Sequence, residues 1–408
     1  MDVLQRMTRF LHIVTVSEAV ATALMIAPPA RAESVPLGEA VGRVLLEPVT
    51  SDVDIPGFDR SVVDGYAVLA ADTSGAGESN PVMLHCTGRV AMGGNAAPLH
   101  LRTGECIYVP TGGLLPAGTD AVVMVENVEI SSDLVLVKKI VAHGENVLLY
   151  NEDFRKGDIV LPAGRRLSPQ DTGVLAAAGC VSVPVSRKPV VGIISTGNEL
   201  VPFTQVPVRG QVRDANASMI GAYLQEYGCT PKQYGIVEDE CRAFESVVAR
   251  AVAECDLILL SGGSSKDERD MTAGVIAAKG EVLVHGIAIA PGKPTIIGKV
   301  NGKPVFGLPG HPASAYIVLI AVVRPLIDRV LGVDKPKVRT LRAILDLNVP
   351  SQRGREDYVR VRVENGIATP VFGKSGLLNT LVSSDGIIRI PAGSEGLEKG
   401  SEVEVILW

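Results

Sequence analysis

The chain has 408 residues, 46% of them hydrophobic and 21% charged, with a formal net charge of −6; at roughly 150 residues per domain this is about three domains' worth of sequence, with ample apolar material to bury. The acidic balance, the 4% aromatic content and the single tryptophan, Trp408, argue against a basic groove with stacking platforms for nucleic acid. The longest uninterrupted apolar run, 315–323, is closed by Arg324 and Pro325 and is far short of the ~20 residues a membrane span needs.

In chain order, Arg6 and Arg9 ahead of an apolar stretch ending in Ala30-Arg31-Ala32 superficially read as a secretion signal. Glu18 interrupts that stretch, however, and Thr15 with Glu18 forms a capping-box pattern followed by Val20, Ala23 and Leu24 at helical spacing, which predicts an ordinary first helix. Leu37, Ala40, Val41, Val44 and Leu45 predict a second short helix within 36–50. Strand-like runs at 82–84, 106–109, 121–125 and 134–137 then read as a β-rich module.

From Val190 the rhythm changes to short buried strands (190–194, 233–237, 256–260) alternating with helices near 218–227, 241–253 and 272–278, the mark of a parallel, doubly wound sheet. A strand at 282–285, a hairpin-like pair at 295–298 and 304–307, and a long apolar helix from Pro312 to about Leu331 complete it. After a linker at 332–337, alternating segments at 340–347, 358–363, 386–390 and 402–407 predict a small β-barrel or sandwich. The six cysteines and six histidines form no CxxC, HxxxH or HExxH, which removes the usual zinc arrangements and fits the reduced thiols of a cytoplasmic protein.

In an open parallel sheet, ligands bind beyond the carboxyl ends of the strands. Those ends here carry Ser195-Thr196-Gly197-Asn198-Glu199, Glu238-Asp239-Glu240, Ser261-Gly262-Gly263-Ser264 running on to Asp270, Pro291-Gly292-Lys293-Pro294, and Pro309-Gly310-His311-Pro312-Ala313-Ser314. Glycines let backbone amides approach a phosphate and a lysine between prolines is held in a restricted loop, so the natural ligand is phosphorylated. Carboxylates beside phosphate loops call for a hard cation between them, which makes Asp239 and Asp270 the candidate Mg²⁺ ligands. Taken singly, each has an ordinary explanation: a glycine-pair turn, a helix-capping Asp270, a solvated Asp239-Glu240, a loop Lys293, a first-turn Ser314. Their joint presence on one sheet is what points to a site. His311, a lone histidine before a proline, is read as a structural contact, and Asp64-Gly65, in a stretch with Asp54 and Asp59, as a hairpin turn.

These residues resemble a known family. Residues 56–68, Val109-Pro110-Thr111-Gly112, Ser195 to Leu200, Pro291 to Pro294 and Gly307 to Pro312 are similar, in order and over nearly the whole chain, to the MoeA family of molybdopterin molybdenumtransferases and to the gephyrin E domain. The resemblance implies an elongated α/β multidomain protein with a doubly wound, molybdopterin-binding-type α/β domain. It divides the chain into a discontinuous domain I (1–50 and 143–186), an inserted β-rich domain II (51–142), the α/β domain III (187–333) and a C-terminal β-barrel domain IV (334–408).

It further implies a cytoplasmic homodimer with a shared active site. That site would insert molybdate or tungstate into adenylylated molybdopterin and release AMP with Mg²⁺ assisting, and the protein would work alongside a molybdopterin adenylyltransferase and cofactor-accepting enzymes. Position by position, Asp59, Asp153, Glu199, Asp239 and Asp270 match the family's functional carboxylates. Thr111, Ser195, Thr196, Gly197, Gly262, Gly263, Ser264, Pro291, Gly292, Pro294, Pro309, Gly310 and Pro312 match its substrate loops. Lys293, Ser314, Arg355 or Arg360, and Ser375 match its molybdate positions. The chain departs from the family at Gly262 to Asp267, which lacks the final glycine of the usual loop, and at Ala290, where many relatives carry a basic residue. The competing readings are a noncatalytic dimeric scaffold of the same fold and the adenylyltransferase itself; retention of Glu199, Asp239, Asp270 and Lys293 opposes the first, and the additional β domains oppose the second.

Overall fold

A computed structural model describes residues 13–93, 100–238, 240–262, 266–336 and 338–408, with the side chains of 266–270 outside the description. The first helix, Val16–Met25, starts where the capping box places it: Glu18 N donates to Thr15 Oγ1 (3.2 Å) and Thr15 N donates to the Glu18 carboxylate (2.8 Å). The expected second helix at 36–50 does not form. Only a 3₁₀ turn, Leu37–Glu39, appears, because Gly38 and Gly42 weaken helix propensity and Val44 and Leu45 are drawn into bridges with Arg166 and Val185.

Segments far apart in the chain pair in this region. Ala32–Pro36 runs antiparallel to Ser182–Ser186, and Val49–Thr50 to Ile159–Leu161, around a core containing Leu45, Leu167, Leu175 and Val185. Between them lies a six-stranded sheet in the order Ala121–Met124, Gly65–Val68, Glu105–Val109, Val82–Arg89, Leu134–Val137, Val128–Ser131.

The central layer is a second six-stranded sheet, ordered Thr230–Val237, Val190–Thr196, Leu257–Ser261, Lys303–Leu308, Ile296–Val300, Gly280–His285. The first four strands are parallel and the last two antiparallel. Side chains alternate across it. Leu257 and Leu259 enter a core with the Ala215–Glu226 helix and the Pro312–Leu331 helical run, whereas Ile258 and Leu260 enter one with the Cys241–Glu254 and Lys266–Lys279 helices. Val16, Ala19 and Ala23 of the first helix pack into the former. The expected long helix runs as Pro312–Val318, a π-helical stretch Leu319–Val323, and Arg324–Leu331. Pro325 explains the interruption, since it supplies no amide hydrogen and its ring crowds the carbonyl one turn back.

At the C-terminus, Thr340–Leu345, Glu402–Leu407, Gly386–Ile390, Glu356–Glu364 and Ile367–Pro370 close into a five-stranded barrel. Among the described residues no helix is long and apolar enough to cross a membrane.

Candidate active site between the sheet and the barrel

The sheet's chain order reverses between Val190–Thr196 and Leu257–Ser261: the crossover from the first leads to Thr230–Val237 on one side, and the chain then returns to Leu257–Ser261 on the other. A crevice opens at the carboxyl ends of such a pair. Gly262 makes it close-packed. Its φ is +145°, and a Cβ there would lie 2.2 Å from Thr196 Oγ1 and 2.3 Å from the Thr196 carbonyl oxygen.

A cavity of about 390 Å³ occupies this point, lined by Thr196, Glu199, Asp214, Asn216, Ser261, Gly262 and Pro312 among others. Gly197 is buried beneath it and Glu199 exposed at its mouth. Asn216 and Ser261 form a buried polar floor, with Ser195 buried beside Ser261 on the neighbouring strand. Asn216 Nδ2 donates to Ser261 Oγ (3.0 Å) and to the Gly310 carbonyl (2.8 Å). Ser195 Oγ and Asn216 Oδ1 are buried with no partner among the described residues, and a buried acceptor left unpaired is costly. Asn216 is a residue the sequence reading passed over. The signal was Asp214, whose carboxylate caps the Ala215–Glu226 helix through Ala217 N (3.0 Å) and so aims that helix at the reversal point.

A second cavity, of about 630 Å³, adjoins the first and shares Gly310 and His311 with it. It exists because a two-residue strand, Ile289–Ala290, pairs in parallel with Glu356 and Asp357 at the start of a barrel strand, fastening the Pro291-Pro294 loop to the barrel. Gly292 (φ +129°) lies against the helix, where a Cβ would come within 2.6 Å of Val318 Cγ2. From the other side, Ala313 N donates to the Ser375 carbonyl (3.1 Å) and His311 Nδ1 is 2.9 Å from Ser375 Oγ.

The cavity therefore gathers Pro291, Gly292, Lys293, Pro294, Pro309, Gly310, Ser314, Arg355 and Ser375 from four separate segments, with no Asp or Glu in its lining among the described residues. Arg355 is steered by Asp357: its Nη2 donates to Oδ2 (3.4 Å), and its Nε stands 2.8 Å from Oδ1 as a charge contact off the N–H direction. Asp357 is itself buried and accepts from Ser351 Oγ at 2.8 Å.

Arg355 and Arg360 part company. Arg360 is buried on the outer face of the barrel, the face on which Tyr358 and Ile387 join the central sheet's core, and does not line the cavity; one guanidinium nitrogen donates to the Gly373 carbonyl (2.8 Å), supporting the Ser375 loop from behind, and burial pulls its pKa below the usual arginine range. Arg353 lines the cavity beside Arg355, pairing with Glu395 at 3.3 Å; the sequence reading passed over it, although it sits two residues from Arg355. His311, read from sequence as a structural contact, borders both cavities.

Asp59, Thr111 and Asp153 are exposed and line neither cavity. They sit on a clasp formed by three loops. Tyr150 N donates to Asp59 (2.6 Å), Asp153 N donates to the Ile55 carbonyl (3.0 Å), and Asp64 accepts from Thr111 N (2.7 Å) and Thr111 Oγ1 (3.1 Å). Asp54 accepts from the Tyr150 hydroxyl and from Lys156 N, donors that hold its carboxyl below the usual range. Asp64-Gly65 opens a strand of the inserted sheet, with Asp64 tied to Thr111.

Asp239, Gly263 and Ser264 lie outside the described residues. The Lys266–Lys279 helix begins well before the expected 272, so Asp270 belongs to that helix and not to a strand-end loop; its side chain is outside the description.

Comparison with known proteins bears on the same segments. Residues 14–179 match the MoeA N-terminal region (domain I and II), 192–329 a probable molybdopterin binding domain, and 342–408 the MoeA C-terminal region (domain IV). The chain belongs to the MoeA family. Among MoeA-type relatives, a putative molybdopterin biosynthesis protein of Methanocaldococcus jannaschii is 35% identical, over 92% of each chain. The molybdopterin molybdenumtransferase of Bacillus subtilis is 33% identical over 97% of this chain and 94% of its own. The crystal structure of the molybdopterin biosynthesis MoeA protein from Pyrococcus horikoshii OT3 superposes with a TM-score of 0.86 at 35% identity, covering 97% of this chain and all of that one.

Proposed function

We propose that this MoeA-family chain is a molybdopterin molybdenumtransferase that inserts molybdate or tungstate into adenylylated molybdopterin and releases AMP. The observation that carries this reading is the juxtaposition of the two cavities. One, at the sheet's reversal point, offers glycine-lined strand ends and polar floor groups suited to a pterin phosphate; the other offers Lys293, Arg353 and Arg355 with hydroxyls of Ser314 and Ser375 to a tetrahedral dianion. A scaffold would not need a carboxylate-free cationic cavity joined to a phosphate crevice, and an adenylyltransferase would not need the barrel that supplies Arg355 and Ser375.

Lys293 acts as a point charge on the oxyanion, and Arg355, steered by Asp357, presents its remaining N–H groups. Among the described residues no three His, Cys, Asp or Glu side chains gather in metal-binding geometry. Mg²⁺ keeps several waters and takes one or two carboxylates together with substrate phosphates. Glu199 at the crevice mouth is the described carboxylate that would share it, with Asp239 and Asp270 the sequence candidates. Bound there, Mg²⁺ would neutralise charge on the scissile pyrophosphate.

The exposed clasp bearing Asp59, Thr111 and Asp153 supports a homodimer in which a second copy brings these groups to the site. All six cysteines are free thiols, as in a reducing compartment such as the cytoplasm.

The test is incubation of purified protein with adenylylated molybdopterin, Mg²⁺ and molybdate while AMP release is followed. Oxyanion-dependent AMP formation is expected; its absence, with the protein folded and dimeric, overturns the reading. Ala290 lines the oxyanion cavity, so Ala290→Lys adds a charge worth about 1 kcal/mol when partly exposed. It is expected to lower the molybdate concentration for half-maximal rate by up to about tenfold. An unchanged or raised half-saturation would place the oxyanion elsewhere.

A further inference from the structure

The oxyanion cavity has a chemical gap that one residue fills. Its charged lining groups, Lys293, Arg353 and Arg355, are hydrogen-bond donors only, and its hydroxyls are those of Ser314 and Ser375. Insertion of an oxyanion into a dithiol nevertheless moves protons. MoO₄²⁻ and the pterin dithiol yield a trioxo-dithiolene dianion and one water: two S–H bonds break, two Mo–S bonds form, and one Mo–O bond breaks. The two thiol protons leave on the departing oxygen. Molybdenum stays hexavalent, so no oxidant or reductant is needed.

Imidazole is the side chain that takes and returns a proton near neutrality. Among the described lining residues of the two cavities His311 alone carries one, and it stands on the wall common to both. Its orientation is fixed at one end, where Nδ1 is 2.9 Å from Ser375 Oγ. The far edge of the ring faces Gly376, where a Cβ would stand 3.6 Å from Cδ2 and 3.9 Å from Nε2. The loop that supplies the oxyanion-side hydroxyl thus also holds the imidazole. The charged groups lining the cavities that His311 borders are Lys293, Arg353 and Arg355 on the oxyanion side and Glu199, Arg213 and Asp214 on the crevice side. No carboxylate forms an ion pair with it among the described residues.

We propose that His311 is the proton carrier of oxyanion insertion, accepting protons from the dithiol in the crevice and delivering them to the oxygen that leaves as water, with Ser375 as its positioning residue. This rests on the transferase reading above and assigns the residue that reading lacks.

His311→Asn is the informative variant, because an amide can keep a hydrogen bond to Ser375 Oγ but cannot carry a proton. General acid–base groups contribute about 10²–10⁴-fold. The expected result with the full-length enzyme is a kcat for molybdate-dependent AMP release at least about 100-fold below wild type. Tungstate affinity by calorimetry should stay within a factor of about three, and the variant should lose the limb of the wild-type pH–rate profile that reports an ionising base. Ser375→Ala is expected to lower kcat less and to leave that limb in place, though shifted. The proposal is overturned if His311→Asn keeps wild-type kcat and pH profile, or if tungstate affinity falls in step with kcat, which would make the residue structural. A wild-type enzyme that binds tungstate but releases no AMP would overturn the transferase reading itself, and is recognised before any variant is compared.

Discussion

Replacing Lys293 or Arg355 by alanine is expected to raise the molybdate concentration for half-maximal AMP release by roughly 10- to 100-fold, since a hydrogen bond to a charged group is worth about 1.5–3 kcal/mol. The two side chains line one cavity, Lys293 from the sheet layer and Arg355 from the barrel, and of the two only Arg355 has a carboxylate partner among the described residues, Asp357. Their effects should not add. Both act on the same dianion, so the double variant is expected to cost less than the sum of the single losses, or to abolish saturation altogether.

Arg353→Ala is the internal comparison. Arg353 is exposed and already paired with Glu395, an arrangement worth about 0–1 kcal/mol, and its loss should shift half-saturation by about threefold or less. Arg360→Ala should behave differently again. It withdraws a hydrogen bond from the Gly373 carbonyl and is expected to lower thermal stability of the barrel along with activity. If Lys293→Ala and Arg355→Ala fold normally by circular dichroism and show wild-type half-saturation, the oxyanion does not occupy this cavity.

The contrast between Arg355 and Arg360 shows where sequence stops being informative. Both fit the same family position, and nothing in their spacing chooses between them. The choice is made by the barrel strand starting at Glu356, which leaves Arg355 in the preceding loop and turns Arg360 onto the buried outer face shared with Tyr358 and Ile387, and by the pairing of Ile289–Ala290 with Glu356–Asp357. Two residues in parallel register with a distant segment leave no periodic trace, so this junction, and with it the cavity, was invisible beforehand. Arg353 was passed over for the same reason, and His311 was read as a structural contact.

The central sheet was legible because its inner strands Val190–Thr196 and Leu257–Ser261 are short, buried on both faces and separated by helices. In Leu257–Ser261 every residue is buried, as a strand covered on both sides requires. The strand ends could be picked out because the fold class alone says where ligands bind. By contrast, the apolar spacing at 36–50 mimicked a helix while its residues served strand-to-strand contacts, a case of tertiary pairing overriding local periodicity. The acidic run before Asp270 looked like a loop because its glycines precede it, yet the helix starts at Lys266.

Gly262→Ala should be a strongly damaging change at the crevice. Its Cβ would overlap Thr196 Oγ1 and the Thr196 carbonyl at 2.2 and 2.3 Å, and Thr196 cannot retreat as a flexible side-chain tip would, because it ends the neighbouring strand of the same sheet. The φ of +145° adds strain for any residue with a Cβ, of order 1–3 kcal/mol. A total of about 2–4 kcal/mol is expected, which for a domain of this size lowers the melting temperature by roughly 5–10 °C. The two strand ends must separate to admit the methyl group, so the crevice floor of Asn216 and Ser261 should lose its spacing. AMP affinity is then expected to fall even at temperatures where the protein remains folded. Gly274→Ala in the neighbouring helix provides the control: nothing lies within 4 Å of its added Cβ, and an alanine in a helix interior is favoured by about 1 kcal/mol, so the melting temperature should hold or rise. A Gly262→Ala variant that melts with wild type and binds AMP unchanged would mean that Thr196 and Gly262 are not in contact, and that the crevice at the sheet's reversal point is not built as described.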